Sequence, residues 1–265
     1  MNTKDTLNRI FGLEFMDKMH EYPSVYSNIR YYHRLKARIV NNFIKNNYSL
    51  DKVFLDAGSG RGQYCVIASK LFKTVYCDEF DKEELDKAKK FISNQKLNNV
   101  IFMNHDLTNL SYPSNSIDRI VCSEVLEHIP KRQDASDELY RVLKPGGKLL
   151  LSMPQKNSLF YKHVLKTHRD YLNQPEPEDT NSNLWHFMQH VKFSHKDIES
   201  IAQKSGFKIV KRYGANVLPL GENIFRKIYN LPLLFRLYIF IEIIAEKLLP
   251  KYASFYFIEL TKNND

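Results

Sequence analysis

What this 265-residue chain lacks narrows it first. It has three cysteines, Cys65, Cys77 and Cys122, each in or beside an apolar run, with no CxxC spacing and no even-numbered set. That excludes a disulfide framework and a cysteine-based metal knuckle, and it reads as buried thiols in a reducing compartment. The first twenty residues include Lys4, Asp5, Arg9, Glu14, Asp17 and Lys18 and hold no apolar core of a signal peptide, so a cytoplasmic location is the expectation. Repeats and low-complexity tracts are missing too. Tryptophan occurs once, at Trp185, and three of only nine glycines crowd together as Gly58, Gly60 and Gly62.

The charge balance has an excess of one sign: 39 Lys and Arg against 30 Asp and Glu, a net +9 with a pI near 9.2. These bases are scattered and form no RGG, homeodomain or RNP pattern, so nucleic acid is not the expected partner. Long apolar runs are also absent. The nearest, Leu231 to Leu249, is broken by Arg236, Glu242, Glu246 and Lys247 and does not read as a membrane span. On a helical wheel those four share one half, and the apolar half is predicted to bury against the domain. A homo-oligomer partner, an apolar substrate or peripheral membrane contact through 224–250 stand as alternatives.

What is there is a rhythm. A helix is predicted over Asn28–Asn46, then apolar strands at Val53–Ala57, Thr74–Cys77, Val100–Met103, Ile117–Cys122 and Lys148–Met153. Helices fall between them at Gln63–Leu71, Lys82–Gln95 and Ala135–Leu143, the last closed by Lys144-Pro145-Gly146-Gly147 as a stop signal. The rhythm breaks over Gln155–Lys192 and resumes with a helix at His195–Lys204 and strands at Phe207–Val210 and Ser254–Leu260. Such βαβ units predict an α/β fold with a buried parallel sheet. One domain is expected: a helical cap over 1–47, a core of 48–154 with 195–214 and 254–260, and substrate-cap insertions at 155–194 and 215–253.

The chemistry centres on Val53-Phe54-Leu55-Asp56-Ala57-Gly58-Ser59-Gly60-Arg61-Gly62, a strand that runs into a glycine-rich turn opening a helix. Missing side chains let a ligand approach the backbone at the carboxyl edge of a sheet. Gln63 stands where a dinucleotide fingerprint has its third glycine, which disfavours NAD and FAD, and no Gly-Lys-Ser/Thr supports a phosphate loop. Asp78 ends the second strand, where a carboxylate accepts both ribose hydroxyls of an adenosine; the other reading is a helix cap, which Asp81 fits equally well. Asp106, within Asn104-His105-Asp106-Leu107, follows the third strand, where a carboxylate accepts an adenine amino group and the next backbone N–H meets a ring nitrogen.

Leu55 to Gly62, Asp78, Asp106-Leu107, the run Ile117-Asp118-Arg119-Ile120-Val121-Cys122-Ser123-Glu124-Val125-Leu126-Glu127-His128, and Leu143-Lys144-Pro145-Gly146-Gly147 occur in this order. Together they resemble the class I S-adenosylmethionine-dependent methyltransferases, specifically the type-11 group that includes quinone-biosynthesis O-methyltransferases. The likeness covers Lys52 to Pro154 well and His195 to Val210 loosely. It implies a doubly wound α/β fold, a seven-stranded, mostly parallel Rossmann-like methyltransferase sheet with its last strand reversed and helices on both faces, and S-adenosylmethionine as cofactor. Gly58, Ser59, Gly60 and Gly62 would line the methionine portion, and Asp56 would hold the amino group. Asp78 would take the ribose, Asp106 with Leu107 the adenine, and Ser123 would lie at the methionine end. The implied reaction is in-line methyl transfer to a small-molecule or lipid-like acceptor, at oxygen in preference to other atoms. RNA methylation and a non-catalytic adenosyl-ligand-binding subunit are the rivals.

Glu124, Glu127 and His128 fall at i, i+3 and i+4, one face of a helical turn. Three readings stay open: a divalent metal site completed by His190 or His186, His128 as general base, or support for the cofactor. Metal dependence is not the expectation. Trp185, His186, Phe187 and His190 are candidates for the acceptor pocket, with His190 joining His128 as a catalytic candidate, against a Trp-centred structural plug. Tyr22, Tyr26, Tyr31 and Tyr32 are expected to pack in a core rather than touch the cofactor.

Overall fold

A computed structural model describes residues 27–46, 48–95, 97–162 and 193–263. In chain order its elements are α1 (Ser27–Lys45), β1 (Ser49–Ala57), α2 (Gln63–Ala68), β2 (Phe72–Asp78), α3 (Lys82–Ser93), β3 (Val100–Met103), β4 (Ile117–Ser123), α4 (Arg132–Val142) and β5 (Leu143–Pro154). There follow α5 (His195–Lys204), β6 (Lys208–Ala215), α6 (Glu222–Tyr229), α7 (Pro232–Leu248) and β7 (Phe255–Thr261). The strands form one sheet in the order β3-β2-β1-β4-β5-β7-β6.

Strands β1 to β5 pair in parallel. The last strand runs against β5: the Gly146 N–H donates to the Lys262 carbonyl and the Gln155 N–H to that of Ser254, so rising numbers meet falling ones. This is the mostly parallel, doubly wound sheet that the resemblance implies. Its physical basis is in the strands. Phe54, Leu55, Val75, Cys77, Ile120, Val121, Cys122 and Leu149 to Leu151 are all buried, as near-continuous apolar runs must be when both faces of a sheet are covered. Because β1 lies between β2 and β4, the chain leaves it in two directions, and a crevice opens at the carboxyl ends of these strands.

The Lys144–Gly147 stop is built differently from its reading as a helix-ending loop. Helix α4 ends at Val142, and the segment continues as part of β5. Ile117 pairs with Leu143 and Arg119 with Lys148, so β5 takes five steps where β4 takes two. That is a bulge, and Gly146 at φ 72° supplies the left-handed residue it needs.

The described residues divide into two compact units. One comprises 40–46, 48–95, 97–153, 196–211 and 258–263; the other comprises 27–39, 154–162, 193–195 and 212–257. In the second unit, helix α7 departs from an expectation. Its apolar half was predicted to be the buried one. Instead Glu242 and Glu246 are buried together with Phe235, Tyr238, Ile239 and Ala245, while Leu233, Leu237, Phe240, Ile241, Ile244 and Leu248 are exposed. The reason is local. The turn after β6, with Asn216 at φ 60°, leaves two amides without strand partners, and Glu242 accepts from both, Val217 N at 2.6 Å and Leu218 N at 2.9 Å. Glu246 pairs with Arg38. Buried amides must find an acceptor, and leucine has none to offer.

In the first unit, Arg119 of β4 is buried and donates to the carbonyls of Phe43 and Asn46 at the end of α1, its guanidinium 4.7 Å from the Phe43 ring centre. It thereby satisfies carbonyls that the helix itself leaves unpaired. Arg119→Ala is expected to cost about 2–4 kcal/mol of stability, read from the urea midpoint at constant m-value. A change within the error of the extrapolation would show that water serves those carbonyls equally well.

Candidate functional site

The strand register brings the elements of the site level. Ala57 pairs with Asp78, and Asp78 with Met103, so the glycine turn, Glu79 and the Asn104–Asp106 segment follow one another along one edge. The turn is tied to its neighbour: the Gly58 and Ser59 amides both donate to the Asp78 carbonyl at 2.9 Å, and the Gly62 amide closes onto the Ser59 carbonyl at 2.9 Å. Gly58, Gly60 and Gly62 have φ of 75°, 50° and 74°.

Their surroundings separate them. A Cβ on Gly58 would lie 2.4 Å from Val125 Cγ2, and one on Gly62 would lie 2.7 Å from Ile92 Cδ1. Packing requires glycine at 58, whereas at Gly62 the neighbour is the movable end of Ile92 and the left-handed φ is what favours glycine. At Gly60 a Cβ would meet nothing within 4 Å, so that position faces open space, where a ligand can approach the backbone. The Gly60 amide donates to Glu79 Oε2 at 2.7 Å, and the Asp81 amide to Glu79 Oε1 at 3.0 Å. Asp81 also caps α3 by accepting from the Glu83 and Glu84 amides.

Asp78, read from the sequence as the ribose acceptor, is fully buried. Its Oδ1 accepts from the His105 amide at 3.1 Å, and its Oδ2 meets His105 Nδ1 at 2.8 Å and the Tyr112 hydroxyl at 2.7 Å. Burial, then the Asp78 charge, push the Tyr112 phenol well up, so it stays protonated and donates. His105 Nε2 continues the chain to Ser111 Oγ at 2.8 Å. The carboxylate that faces the glycine turn is Glu79, one residue on. Beside it Phe80 is 70% exposed. The sequence reading missed both residues. The signal was the doublet Asp78-Glu79: adjacent side chains at a strand end point opposite ways, so one carboxylate belongs to the core and the other to the edge.

Asp56 is buried at the end of β1, and the hydrogen bond it receives, from the Cys65 thiol at 3.4 Å, comes from a weak donor. Burial pushes its carboxyl up to about 7, the thiol bond opposing and the Glu79 charge adding. Ser59 is buried and its hydroxyl accepts from Cys77 Sγ at 3.1 Å, so its side chain serves the core. Exposed Asp106 accepts from the Thr108 amide at 2.9 Å and hydroxyl at 2.8 Å; these bonds hold it below its ordinary value and shape the loop, with Leu107 buried behind. Ser123 Oγ lies 2.8 Å from Ser152 Oγ.

Glu124, Glu127 and His128 do not form the shared helical face read from their spacing. Glu124 is left-handed at φ 59°, and Leu126–His128 is a 3₁₀ turn, whose repeat of three breaks an i, i+4 alignment. The Glu127 side chain is turned inward, 2% exposed, whereas that of His128 is half exposed, its Nε2 4.0 Å from Glu127 Oε1. Burial holds His128 below the ordinary histidine value, with the Glu124 charge opposing. Among the described residues no three His, Cys, Asp or Glu side chains are grouped to hold a metal ion. His190, His186, Trp185, Phe187, Tyr22 and Tyr26 lie outside the described residues, as does the Tyr31 side chain. Tyr32 is buried and donates to the Leu220 carbonyl at 3.0 Å.

Residues 55–151 match the family Methyltransf_11, a methyltransferase domain. A ubiquinone biosynthesis O-methyltransferase of Coxiella burnetii (strain Dugway 5J108-111) is 26% identical over 170 residues, 64% of this chain and 69% of that protein. An arsenite methyltransferase of Mus musculus is 28% identical over 167 residues, 58% of this chain and 40% of its own length. Among solved structures, a SAM-dependent methyltransferase of Methanosarcina mazei superposes with a TM-score of 0.58 at 18% identity, covering 84% of this chain and 98% of that one. The [4+2]-cyclase SpnF superposes with a TM-score of 0.57 at 16% identity, covering 86% and 81%. Fold, glycine turn and the domain match over residues 55–151 support a class I S-adenosylmethionine-dependent methyltransferase. Within that class its residues 55–151 are a type-11 methyltransferase domain.

The raised Asp56 carboxyl carries a prediction. A cation held against Asp56 favours its ionised form, so binding releases a proton wherever free Asp56 is protonated, that is, below about pH 7. Affinity for S-adenosylhomocysteine should therefore fall as pH drops from about 7.5 to about 5.5, approaching tenfold per pH unit. Calorimetry in buffers of different ionisation enthalpy measures the proton directly. Asp56→Asn should flatten the profile; an unchanged slope in that variant would remove Asp56 from the cation site.

Proposed function

We propose that this methyltransferase acts on a hydroxyl oxygen of a small-molecule or lipid-like acceptor. The reading is carried by the curated relatives named as ubiquinone biosynthesis O-methyltransferases, which align over 64% of the chain. The arsenite methyltransferase match points to a different acceptor, but this chain is poorly equipped for it. Arsenic(III) is a soft centre that calls for thiolate ligands, and Cys65, Cys77 and Cys122 are all buried.

S-adenosylmethionine supplies a methyl group already activated on a sulfonium sulfur. The work left to the protein is to hold it, align an acceptor oxygen and exclude water. In this proposal the open backbone at Gly60, with Gly58, Ser59 and Gly62 shaping the turn, lines the methionine portion, Asp56 faces its ammonium, and Ser123 lies at that end. Glu79 accepts the ribose hydroxyls, with Asp78 supporting the loop from beneath. Phe80 offers an apolar face to the adenine, and Asp106 with the Leu107 amide takes its polar edge. His128, which burial keeps in the neutral form at neutral pH, receives the acceptor's proton, with His190 as the second candidate.

Two experiments test the proposal. Glu79→Gln should weaken cofactor binding by about 1–3 kcal/mol with Tm unchanged, whereas Asp78→Asn should lower Tm by loosening the His105–Tyr112 cluster. Loss of binding in Asp78→Asn at wild-type Tm, with Glu79→Gln indifferent, would return the ribose to Asp78. For the acceptor, labelled cofactor is offered with phenolic and prenylated phenolic compounds, with arsenite and with RNA. Label should appear as an O-methyl ether, and His128→Gln should lower kcat roughly a hundredfold at wild-type cofactor affinity. Label on arsenic or RNA would overturn the oxygen reading.

A further inference from the structure

Helix α7 carries an apolar surface outward. Leu233, Leu237, Phe240, Ile241, Ile244 and Leu248 recur at three- and four-residue spacing on one side of it, with Leu233 79%, Phe240 62% and Leu248 73% exposed. The stripe is about 22 Å long. The helix cannot roll to hide it, because the opposite side is held: Glu242 serves the Val217 and Leu218 amides, Glu246 pairs with Arg38, and the Tyr238 hydroxyl donates to the Leu218 carbonyl at 2.9 Å. Rotation would break bonds that burial makes expensive to lose.

The charge around the stripe has one sign. From 222 to 251 the sequence has five bases, Arg226, Lys227, Arg236, Lys247 and Lys251, and three acids, Glu222, Glu242 and Glu246. The two acids of α7, Glu242 and Glu246, are buried, whereas Lys227, Arg236, Lys247 and Lys251 are exposed. An ordinary amphipathic helix hides its apolar side and shows mixed charge to water. This one buries Phe235, Tyr238, Ile239 and Ala245 beside its two acids and still shows water an apolar stripe flanked by cations.

We propose that α7 docks this stripe in the plane of an anionic membrane surface, the leucines, isoleucines and Phe240 seated among the upper acyl carbons and the lysines and arginine on the headgroups. The combination of an apolar side with flanking bases is what an anionic bilayer surface recognises. A span does not fit. At 17 residues α7 is about 26 Å long, short of the hydrocarbon thickness. Among the described residues no single helix is long and apolar enough to cross; α6 and α7 together have the length and composition, but they meet at 115°, which does not make a straight span. A second copy fits less well than lipid, since packing two stripes together would bring the same cations together on chains of net charge +9, whereas anionic headgroups neutralise them. The proposal does not depend on the acceptor's identity.

The test is co-sedimentation of the full chain with phosphatidylcholine vesicles, with and without a phosphatidylglycerol fraction. Binding should appear with the anionic vesicles, weaken in high salt, and fall roughly tenfold or more in Leu237→Ser/Phe240→Ser. Those side chains are exposed, so Tm and S-adenosylhomocysteine affinity should stay at wild type, which confirms that the variant is folded. Lys247→Glu/Lys251→Glu should remove the preference for anionic over neutral vesicles. Absence of binding to both vesicle types would overturn the proposal, as would binding that the double serine variant leaves intact. Concentration-dependent dimerisation in solution that the serine variant abolishes, without vesicle binding, would assign the stripe to self-association instead. Unaltered methyl transfer to a water-soluble acceptor by the serine variant keeps this result separate from the proposed chemistry.

Discussion

Two backbone amides, those of Gly58 and Ser59, share the carbonyl of Asp78. Parallel strands leave the amides beyond their last rung without partners, and here the end of β2 supplies the acceptor. The glycine turn is thereby held by its neighbour rather than by its own side chains, and the remaining features of the site follow from where it is held. Gly58 lies against Val125, so the loop after β4 is positioned by contact with the turn. Gly62 lies against Ile92, which sets α3. Only Gly60 is left open, and its amide meets Glu79.

The same carbonyl belongs to the residue whose side chain organises the neighbouring loop. The Asp78 carboxylate joins β2 to the segment after β3 through the His105 amide, the His105 ring and the Tyr112 hydroxyl. A buried carboxylate is tolerated only when its oxygens are satisfied, and three donors achieve that here. Asp78 therefore carries structure through both its backbone and its side chain, and the carboxylate at the edge is the one that follows it. The two acids look alike in the sequence, and their surroundings give them different work.

Helix α7 shows the same logic in the other unit. Unpaired amides at the end of β6 draw in a carboxylate, the carboxylate fixes the rotation of the helix, and the rotation decides which side chains meet water. Polar satisfaction of a few atoms thus places two acids beside Phe235, Tyr238, Ile239 and Ala245 on the buried side of the helix. Leaving buried amides bare costs on the order of 1–3 kcal/mol each, as much as burying one leucine returns.

Much was legible from residues alone. The alternation of apolar strands and amphipathic helices determined the order of elements and the parallel sheet, because a strand covered on both faces must be apolar throughout. The cluster Gly58, Gly60 and Gly62 determined where the left-handed turn after β1 lies, because three left-handed residues in five are accessible to little else. The ordered stretches from Leu55 to Gly147 pointed to the methyltransferase class. Tertiary structure decided what periodicity does not encode. It assigned the core role to Asp78 and the edge to Glu79, since both faces of β2 are apolar and the sequence carries no sign of strand parity. It separated Glu124, Glu127 and His128, since one left-handed residue and a 3₁₀ turn undo the α-helical spacing. It also turned the acids of α7 inward, since the amides that attract them lie some twenty-five residues away in the chain, and only folding brings such groups within reach of a hydrogen bond.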